Sequence, residues 1–351
     1  MKALALTFSG MTDLCAQEIK QLIGVSGKET AEGVLFDAER EDIFAVCYRA
    51  QSIARVILVL SEGSFDKLSV PNEYLAGTIS MTGKSTTKAQ ELMERIAAKK
   101  VYKNADIPLY LHFEGEQYWL GIDLTGDCSK RDYRIFVGSE TLKGGTAFAA
   151  LLLAGYEPKH MLLDPFCRAG SVVIEAAFRA LQHPVRFYAK DKLPFVKVFK
   201  DFGAEQFYAA QDKKIKDAVP GAILALSPLF PSVQATRKNA KIAGVGKAID
   251  FSRTSTDWLD LKFEKQSIDC IVTQPIEFTI GFPPEKAKRL AAEFFKVAAF
   301  ILKKGAKICL ILRAGKNEYV AAAKTEGLAL AEERTVMQGK EEWRLLVFSR
   351  T

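Results

Sequence analysis

The run LLDPFCRAGS, residues 162–171, places an acidic side chain at the end of an apolar strand and a glycine at the start of a helix. In an open parallel sheet, ligands bind at the carboxyl ends of the strands, where the backbone of such a turn approaches them closely. Asp164 and Gly170 are therefore candidate ligand-binding residues. A turn with one glycine is also common as a purely structural feature. The surrounding sequence must therefore distinguish a ligand-binding turn from a structural one.

Other kinds of site are poorly supported by the residue spacing. The histidines at positions 112, 160 and 183 are isolated, and no Ser-His-Asp or paired-carboxylate spacing stands out. The cysteines at positions 15, 47, 128, 167, 270 and 309 form no CxxC pair. This pattern favours buried thiols in a reducing compartment over a zinc site or a disulfide framework. We predict no metal site.

Length, composition and charge set the broad class. A chain of 351 residues with 48% hydrophobic and 26% charged residues is typical of a globular protein of two domains. The net charge of +7 favours a polyanionic partner without requiring one. The opening residues MKALALTF are too short for a signal peptide, and no apolar run approaches the roughly 18 residues of a membrane span. We expect a cytosolic protein.

The turn at 162–171 lies in a half of the chain where strands and helices alternate. We predict strands at 161–164, 222–226, 270–272 and 306–312, and helices at 146–154, 172–181, up to about 243, and 285–302. This alternation indicates a doubly wound parallel sheet. Residues 329–338 and 342–349 are expected to add an antiparallel hairpin at its edge.

The first part of the chain has a different pattern, in which short strands and helices indicate an α+β module. Residues 86–103 are expected to form an amphipathic helix with basic residues on its exposed face. These residues are Lys88, Arg95, Lys99, Lys100 and Lys103. A connector between about residues 135 and 146 leads us to predict domains at 1–140 and 141–351.

The stretch KRDYRIFVGSETLKGGTAFAALLLAGYEPKHMLLDPFCRAGSVVIEAAF, residues 130–178, resembles THUMP-domain RNA methyltransferases, the group of tRNA and 23S rRNA guanine-N2 enzymes. In that family a basic RGYR-like segment precedes an ETLAAALL-like helix and the S-adenosylmethionine loop DPFCGSGT. The segment QHPVRFYAKDKLPFVKVF resembles the insert after the first methyltransferase helix, and RKNAKIAGV resembles the second Rossmann helix. The motifs follow the family's order and spacing over most of the chain.

The resemblance implies an α/β fold, in which an amino-terminal α+β ferredoxin-like plus THUMP module precedes a Rossmann-like class I methyltransferase domain. It implies tRNA or another structured RNA as partner and S-adenosylmethionine as cofactor, with the target base flipped out of its stack. Its cofactor-binding positions are Asp164, Phe166, Gly170, Ser227 and Asp257. Lys130, Arg131 and Arg134, with the basic face of helix 86–103, would contact RNA phosphates. A solvated face is the alternative interpretation of that helix.

The cofactor positions depart from the family pattern. Arg168 stands where the family has glycine, at a loop whose backbone must approach the cofactor closely. Ser227 stands where an acidic residue accepts hydrogen bonds from the ribose, and it is a weaker, neutral acceptor. For the acidic residue that holds the adenine amine, Asp257 could serve, although Ser255 matches the spacing better.

The catalytic motif also differs. Family members have Asn-Pro-Pro-Tyr or a close relative, in which the amide oxygen and a backbone carbonyl orient the exocyclic amine and the ring stacks on the base. Residues 273–278 read TQPIEF. Gln274 and Pro275 would orient the amine, but the longer glutamine misplaces its oxygen, and such an error costs about a hundredfold in rate. Glu277 stands at the ring position, and Phe278, one residue later, is the candidate stacking ring.

Two functions remain open from the sequence. The chain could bind tRNA or rRNA with weak or lost methyl transfer, as a pseudoenzyme beside an active protein partner. Alternatively, it could be an active S-adenosylmethionine-dependent tRNA guanine-N2 methyltransferase. The residues that discriminate between these functions are Arg168, Ser227 and Glu277.

Overall fold

The computed structural model describes residues 1–64, 79–83, 107–137, 142–278 and 281–350. These residues form two compact units: Met1–Ser129 with Pro184–Lys213, and Lys130–His183 with Lys214–Thr351. The predicted helix at 86–103, with Lys88, Arg95, Lys99, Lys100 and Lys103, lies outside the described residues. Within the described ranges, no helix has the length and apolar character needed to cross a membrane.

The first unit contains a seven-stranded mixed sheet with strand order β2-β3-β1-β4-β7-β6-β5. Its elements are β1 (Lys2–Leu6), α1 (Thr12–Ile23), β2 (Lys28–Glu29), β3 (Gly33–Asp37), α2 (Arg40–Arg49), β4 (Arg55–Ser64), β5 (Ile79–Gly83), β6 (Ile107–Glu114) and β7 (Gln117–Asp123). Strand β1 pairs antiparallel with β3 and β4, whereas β5 and β6 are parallel. This mixture of strands and packed helices is the predicted α+β pattern.

Residues 184–213 pack with the first unit although they follow two helices of the second unit in the chain. They form a short 3₁₀ helix (Phe187–Lys192) and two helices, which in our numbering are α5 (Pro194–Val198) and α6 (Ala204–Asp212). The ring of Phe195 stacks on Phe44 of α2 with ring centroids 4.2 Å apart, and the Tyr208 ring lies 4.9 Å from Tyr48. Aromatic rings bury much apolar area, so this segment completes the core of the first unit.

The second unit contains a seven-stranded sheet with strand order β10-β9-β8-β11-β12-β14-β13. Its elements are α3 (Gly144–Leu153), β8 (Met161–Asp164), α4 (Ser171–Leu181), β9 (Ala222–Ser227), α7 (Phe230–Ile242), β10 (Asp250–Arg253), α8 (Leu259–Lys262), β11 (Ile268–Thr273), α9 (Pro284–Ile301), β12 (Leu302–Leu312), α10 (Lys316–Thr325), β13 (Leu328–Gln338) and β14 (Glu341–Arg350). Strands β8 to β12 are parallel, and β14 runs antiparallel to β12 and β13. The predicted doubly wound sheet with an antiparallel hairpin at its edge is confirmed.

The junction between the units lies earlier in the chain than the predicted connector. Arg131, predicted to contact RNA, is only 5% exposed, and its guanidinium pairs with Glu175 of α4 at 2.8 Å. The Tyr133 hydroxyl donates to the same carboxylate at 2.9 Å. A Cβ on Gly144 would lie 2.2 Å from that carboxylate, so a side chain at the start of α3 would displace the Arg131–Glu175 pair. These contacts anchor the segment after Ser129 in the second unit.

Candidate functional site

The ends of neighbouring strands β8 and β11 are joined by a side-chain hydrogen bond. The Thr273 hydroxyl donates to Asp164 Oδ1 at 2.6 Å, and the Phe166 backbone N–H donates to the same oxygen at 3.2 Å. Asp164 is only 2% exposed. The acidic residue predicted from the sequence therefore organises the loop after β8.

Gly170 shapes the same loop through its backbone. It precedes α4 and has φ +91°, a left-handed conformation that favours glycine. A Cβ at this position would lie 2.7 Å from Cγ2 of Thr236 in α7. The lack of a side chain at Gly170 thus allows α7 to approach the loop.

Arg168, at the position where the resemblance implies glycine, has a left-handed conformation with φ +46°. For a residue with a side chain this costs roughly 1–3 kcal/mol. Its guanidinium donates from Nε to the Gln274 carbonyl at 2.9 Å and from Nη2 to the Pro275 carbonyl at 2.6 Å. The side chain therefore spans from the loop after β8 to the loop after β11, and its hydrogen bonds offset the backbone strain.

Gln274 is 5% exposed, and its amide is only partly satisfied. The Gln274 amide nitrogen donates to Glu277 Oε1 at 3.3 Å. The amide oxygen of Gln274, Oε1, is buried and has no hydrogen-bond partner among the described residues. A buried acceptor without a donor costs about 1–3 kcal/mol. Such an oxygen indicates a place for an N–H or O–H group of a ligand.

Glu277 forms a two-pronged ion pair with Arg313, whose Nε and Nη2 donate to its two carboxylate oxygens at 3.1 and 2.9 Å. The carboxylate raises the pKa of the Arg313 guanidinium. The Arg313 guanidinium also lies 5.1 Å from the ring centroid of Trp343. A fixed charge pair therefore stands at the position where the family motif has an aromatic ring.

Phe278, the candidate stacking ring, is 8% exposed. It lies parallel to the ring of Tyr319 at 4.9 Å and 5.3 Å from that of Phe282. The Tyr319 hydroxyl donates to the Ile276 carbonyl at 2.7 Å, and burial raises the pKa of that hydroxyl. In this conformation Phe278 is a core residue, and the exposed side chain of the loop is Ile276.

Two spaces of very different size lie at this edge of the sheet. The inner cavity, lined by Asp164, Phe166, Arg168, Gln274 and neighbouring residues, holds about 10 Å³, which is no more than one water molecule. The outer cleft, near the ends of β9 and β10, holds about 670 Å³. Its described lining residues are Pro228, Arg253, Thr254, Ser255, Trp258, Leu261 and Lys262.

The remaining predicted cofactor residues lie around the outer cleft but do not line it. Ser227 ends β9, is buried, and accepts a hydrogen bond from the Leu229 N–H at 3.1 Å. Asp257 is exposed in a 3₁₀ turn, whereas Ser255 lines the cleft. The sequence analysis did not single out Arg253 or Lys262. Their position after a strand was the available signal.

The predicted RNA-contacting residues outside helix 86–103 separate into different environments. Lys130 is exposed, Arg134 is partly buried, and Arg131 is committed to Glu175 as described above. All six cysteines are buried and free of disulfides, as expected. No group of metal-ligating side chains occurs within the described ranges.

S-adenosylmethionine, the cofactor expected from the sequence, fits these residues only in part. The outer cleft has room for a nucleoside. About 10 Å³ is left among the described residues between the loops after β8 and β11, where the methionine moiety is expected, while the Arg168 guanidinium holds the Gln274 and Pro275 carbonyls. The Ser227 hydroxyl, at the position expected for the ribose, accepts from the Leu229 N–H and is a weaker, neutral substitute for a carboxylate acceptor. We therefore derive no reaction step through this cofactor.

A family model, curated relatives and a solved structure that resemble this chain are all described as methyltransferases. A family model described as UPF0020, RMKL-like methyltransferase domain, matches residues 131–343, which is more than half of the chain. The tRNA (guanine(6)-N2)-methyltransferase of Methanocaldococcus jannaschii is 26% identical over 261 residues, covering 74% of this chain and 68% of that protein.

Ribosomal RNA large subunit methyltransferase K/L of Aliivibrio fischeri is 26% identical over 288 residues. The match covers 71% of this chain but 40% of that protein, so the chain spans less than half the length of this relative. The crystal structure of SMU.472, assigned as a methyltransferase and solved with SAH, superposes with a TM-score of 0.80 at 16% identity. It covers 100% of this chain and 98% of its own, which establishes the shared fold.

Proposed function

Since this chain belongs to the UPF0020 family of RMKL-like methyltransferase domains, we propose that it is an RNA-binding member whose methyl-transfer site is held closed by Arg168. The observation that carries this proposal is the pair of hydrogen bonds from the Arg168 guanidinium to the Gln274 and Pro275 carbonyls. They fill the space between the two loops and leave about 10 Å³. Binding of S-adenosylmethionine must break them, so we infer weak cofactor binding and weak methyl transfer.

RNA as the partner is supported by charge and by relatives. The chain carries +7 overall, and the two curated relatives described above are named for methylation of tRNA and ribosomal RNA. Lys130 is exposed at the start of the second unit, and the predicted basic helix 86–103 would add phosphate contacts. On the same grounds we propose a cytoplasmic location. The proposed ligand is tRNA or rRNA, and the proposed RNA-binding part is an amino-terminal THUMP-like module. An active partner protein could supply the chemistry.

Calorimetric titration of S-adenosylmethionine and its demethylated product tests the closed site. We expect weak binding to the wild type and a gain of about tenfold or more in Arg168→Gly, because two charge-assisted hydrogen bonds need not be broken. Gln266→Gly is the matched control, since Gln266 also has a positive φ, +57°, and its replacement relieves backbone strain away from the site. The double variant Arg168→Gly with Ser227→Glu restores a ribose acceptor and should bind more tightly still.

Micromolar binding by the wild type with no gain in Arg168→Gly would contradict the closed site. It would support the second candidate, an active guanine-N2 methyltransferase acting on tRNA. The observation that favours this candidate is the unpartnered Oε1 of Gln274, which an exocyclic amine could satisfy. Transfer of a labelled methyl group to bulk tRNA by the wild type would establish it.

RNA binding is tested separately by filter binding of tRNA over a range of salt concentrations. The variant Lys99→Ala, Lys100→Ala, Lys103→Ala should bind more weakly and show a flatter salt dependence, because fewer counterions are released. Unchanged affinity would remove helix 86–103 from the RNA footprint.

A further inference from the structure

A third space lies at the opposite edge of the second unit's sheet, where the parallel strands begin. It holds about 340 Å³, which is within the range of roughly 300–1,000 Å³ for small-molecule sites. We call it the lysine cleft, because its charged and polar lining residues are His160, Asp269, Lys303, Lys304 and Lys307. All of them belong to the second unit.

An irregularity in the pairing of β11 with β12 brings the three lysines together. Between two paired positions, β11 has one residue, Asp269, whereas β12 has four, residues 303–306. The surplus residues make a bulge, and bulges redirect side chains at the edge of a sheet. Lys303 and Lys304 of the bulge therefore line the same cleft as Lys307, at which the pairing resumes.

The lysine cleft has more positive than negative charge. Asp269 is the single carboxylate among its described lining residues, and one of its oxygens pairs with Lys303 at 2.7 Å. Its other oxygen accepts from the Met161 N–H at 2.9 Å. Neither Lys304 nor Lys307 has an acidic partner among the described residues. Two ammonium groups are therefore left to attract an anion.

His160 adds a neutral donor. The Glu157 N–H donates to His160 Nδ1 at 3.1 Å, so the neutral ring carries its own hydrogen on Nε2. The Glu157 carboxylate pairs with Lys159 at 2.9 Å and does not offset the lysines of the cleft. Ammonium and imidazole N–H groups both donate to the oxygens of a phosphate, and a lysine does so as a point charge.

We propose that the lysine cleft binds a phosphate group through Lys304, Lys307 and the Nε2–H of His160, while Asp269 holds Lys303. A free phosphate compound and an RNA backbone present the same oxygens to these donors. The proposal goes beyond the function proposed above, because the cleft lies at the other edge of the sheet and depends neither on Arg168 nor on methyl transfer.

Calorimetric titration of pyrophosphate into the full chain tests the two unpaired lysines. The double variant Lys304→Gln, Lys307→Gln should bind about tenfold or more weakly than the wild type, because each charge-assisted hydrogen bond contributes roughly one such factor. The matched control Lys286→Gln, Lys296→Gln removes two exposed charges of α9 outside the cleft. At an ionic strength of about 0.15 M such distant charges are screened, so the control should bind like the wild type.

Equal losses in the two double variants would reduce the effect to overall charge and overturn the proposal. No detectable binding of pyrophosphate to the wild type at millimolar concentration would also overturn it.

Asp269→Asn should change the affinity in the opposite direction. Lys303 loses its ionic partner, so the cleft gains one net positive charge and should bind pyrophosphate about threefold more tightly. Asparagine keeps an oxygen that can accept from the Met161 N–H, and urea unfolding checks that the variant is folded. Unchanged or weaker binding by the folded variant would contradict the proposed site.

A short RNA hairpin separates the two sources of phosphate. Displacement of pyrophosphate by the hairpin, with weaker hairpin binding in Lys304→Gln, Lys307→Gln than in the control, would assign the cleft to an RNA backbone. Lysine-dependent pyrophosphate binding that the hairpin does not displace would assign it to free phosphate compounds.

The two proposals fail separately. A gain in S-adenosylmethionine affinity in Arg168→Gly, without measurable pyrophosphate binding, would support the closed site and overturn the phosphate site. Lysine-dependent pyrophosphate binding without that gain would do the reverse.

Discussion

The inner cavity and the outer cleft lie at the same edge of one sheet, yet about 10 Å³ remains in the first and about 670 Å³ in the second. The backbone does not explain the difference, since the loop after β8 keeps left-handed conformations at both residue 168 and Gly170. The Arg168 side chain spans the inner space and donates to two carbonyls of the loop after β11. The proposed function therefore depends on a loop side chain and not on the path of the backbone.

The two spaces also differ in how their polar groups are used. Around the inner cavity, Arg168 holds two carbonyls and Asp164 is bonded to Thr273, while Gln274 Oε1 has no partner among the described residues. Around the outer cleft, Arg253 and Lys262 each have one hydrogen bond and further donor capacity. The polar groups around the inner cavity mostly bond to one another, whereas the two cations at the outer cleft keep further donors.

The largest loss of stability that we expect is from Gly170→Ala, a change in the loop beside the inner cavity. The added Cβ meets Thr236 at 2.7 Å in a left-handed conformation, so unfolding in urea should show a loss of about 3 kcal/mol. Gly327→Ala is the control, with φ +70° and nothing within 4 Å of the Cβ, and should cost about 1 kcal/mol. Equal losses would mean that α7 does not press on the loop.

A change of opposite sign is expected at Gln274. Gln274→Met removes the unpartnered buried oxygen while nearly conserving volume, and should raise the free energy of unfolding by about 1 kcal/mol. Gln338→Met is the matched control, because Gln338 Oε1 accepts from the Lys143 N–H at 2.7 Å and the Thr146 hydroxyl at 3.2 Å. That variant should lose roughly 1–3 kcal/mol. Destabilisation in both variants would show that Gln274 Oε1 is satisfied in solution.

The smallest expected effect on stability is at the start of β11, away from the inner cavity and the outer cleft. A change there should alter neither of these two spaces. Burial raises the pKa of Asp269. The hydrogen bonds that its carboxylate accepts from Lys303 and from the Met161 N–H together lower the pKa by more, so the net shift is downward. Stability from this pair is therefore present above the ordinary carboxyl pKa and lost as the pH falls through the lowered value.

Asp269→Asn should remove that acid-dependent loss, which we expect to be below about 1 kcal/mol because the pair is partly exposed. Urea unfolding of both proteins between about pH 6 and about pH 3 measures it. A steeper pH dependence in the variant would contradict the assignment.

Periodicity was sufficient to predict the second sheet. Apolar strands at 161–164 and 222–226 must be buried on both faces, and the helices between them leave few alternatives to a parallel sheet. The placement of Asp164 and Gly170 in a strand-to-helix turn followed from the same pattern. Local sequence is informative here because a turn conformation is largely decided by its own residues.

Side-chain direction could not be predicted in the same way. The sequence analysis placed Arg168 in a loop that must approach the cofactor, but the two carbonyls that its side chain contacts come from a loop more than a hundred residues later. Arg131 was expected on the surface because nothing in its neighbourhood reveals Glu175. Phe278, expected to stack on a base, instead stacks on the ring of Tyr319, which lies about forty residues later in the chain. Such contacts depend on distant segments, which composition and spacing do not encode.

The placement of residues 184–213 in the first unit has a consequence for synthesis and for dissection of the chain. The polypeptide passes between the units after Ser129, after His183 and after Lys213, so neither unit is a continuous segment. A fragment ending at residue 129 would lack Phe195 and Tyr208, leaving the Phe44 and Tyr48 rings uncovered. On the ribosome, the first unit can complete its core only after the first strand and the first two helices of the second unit have been made.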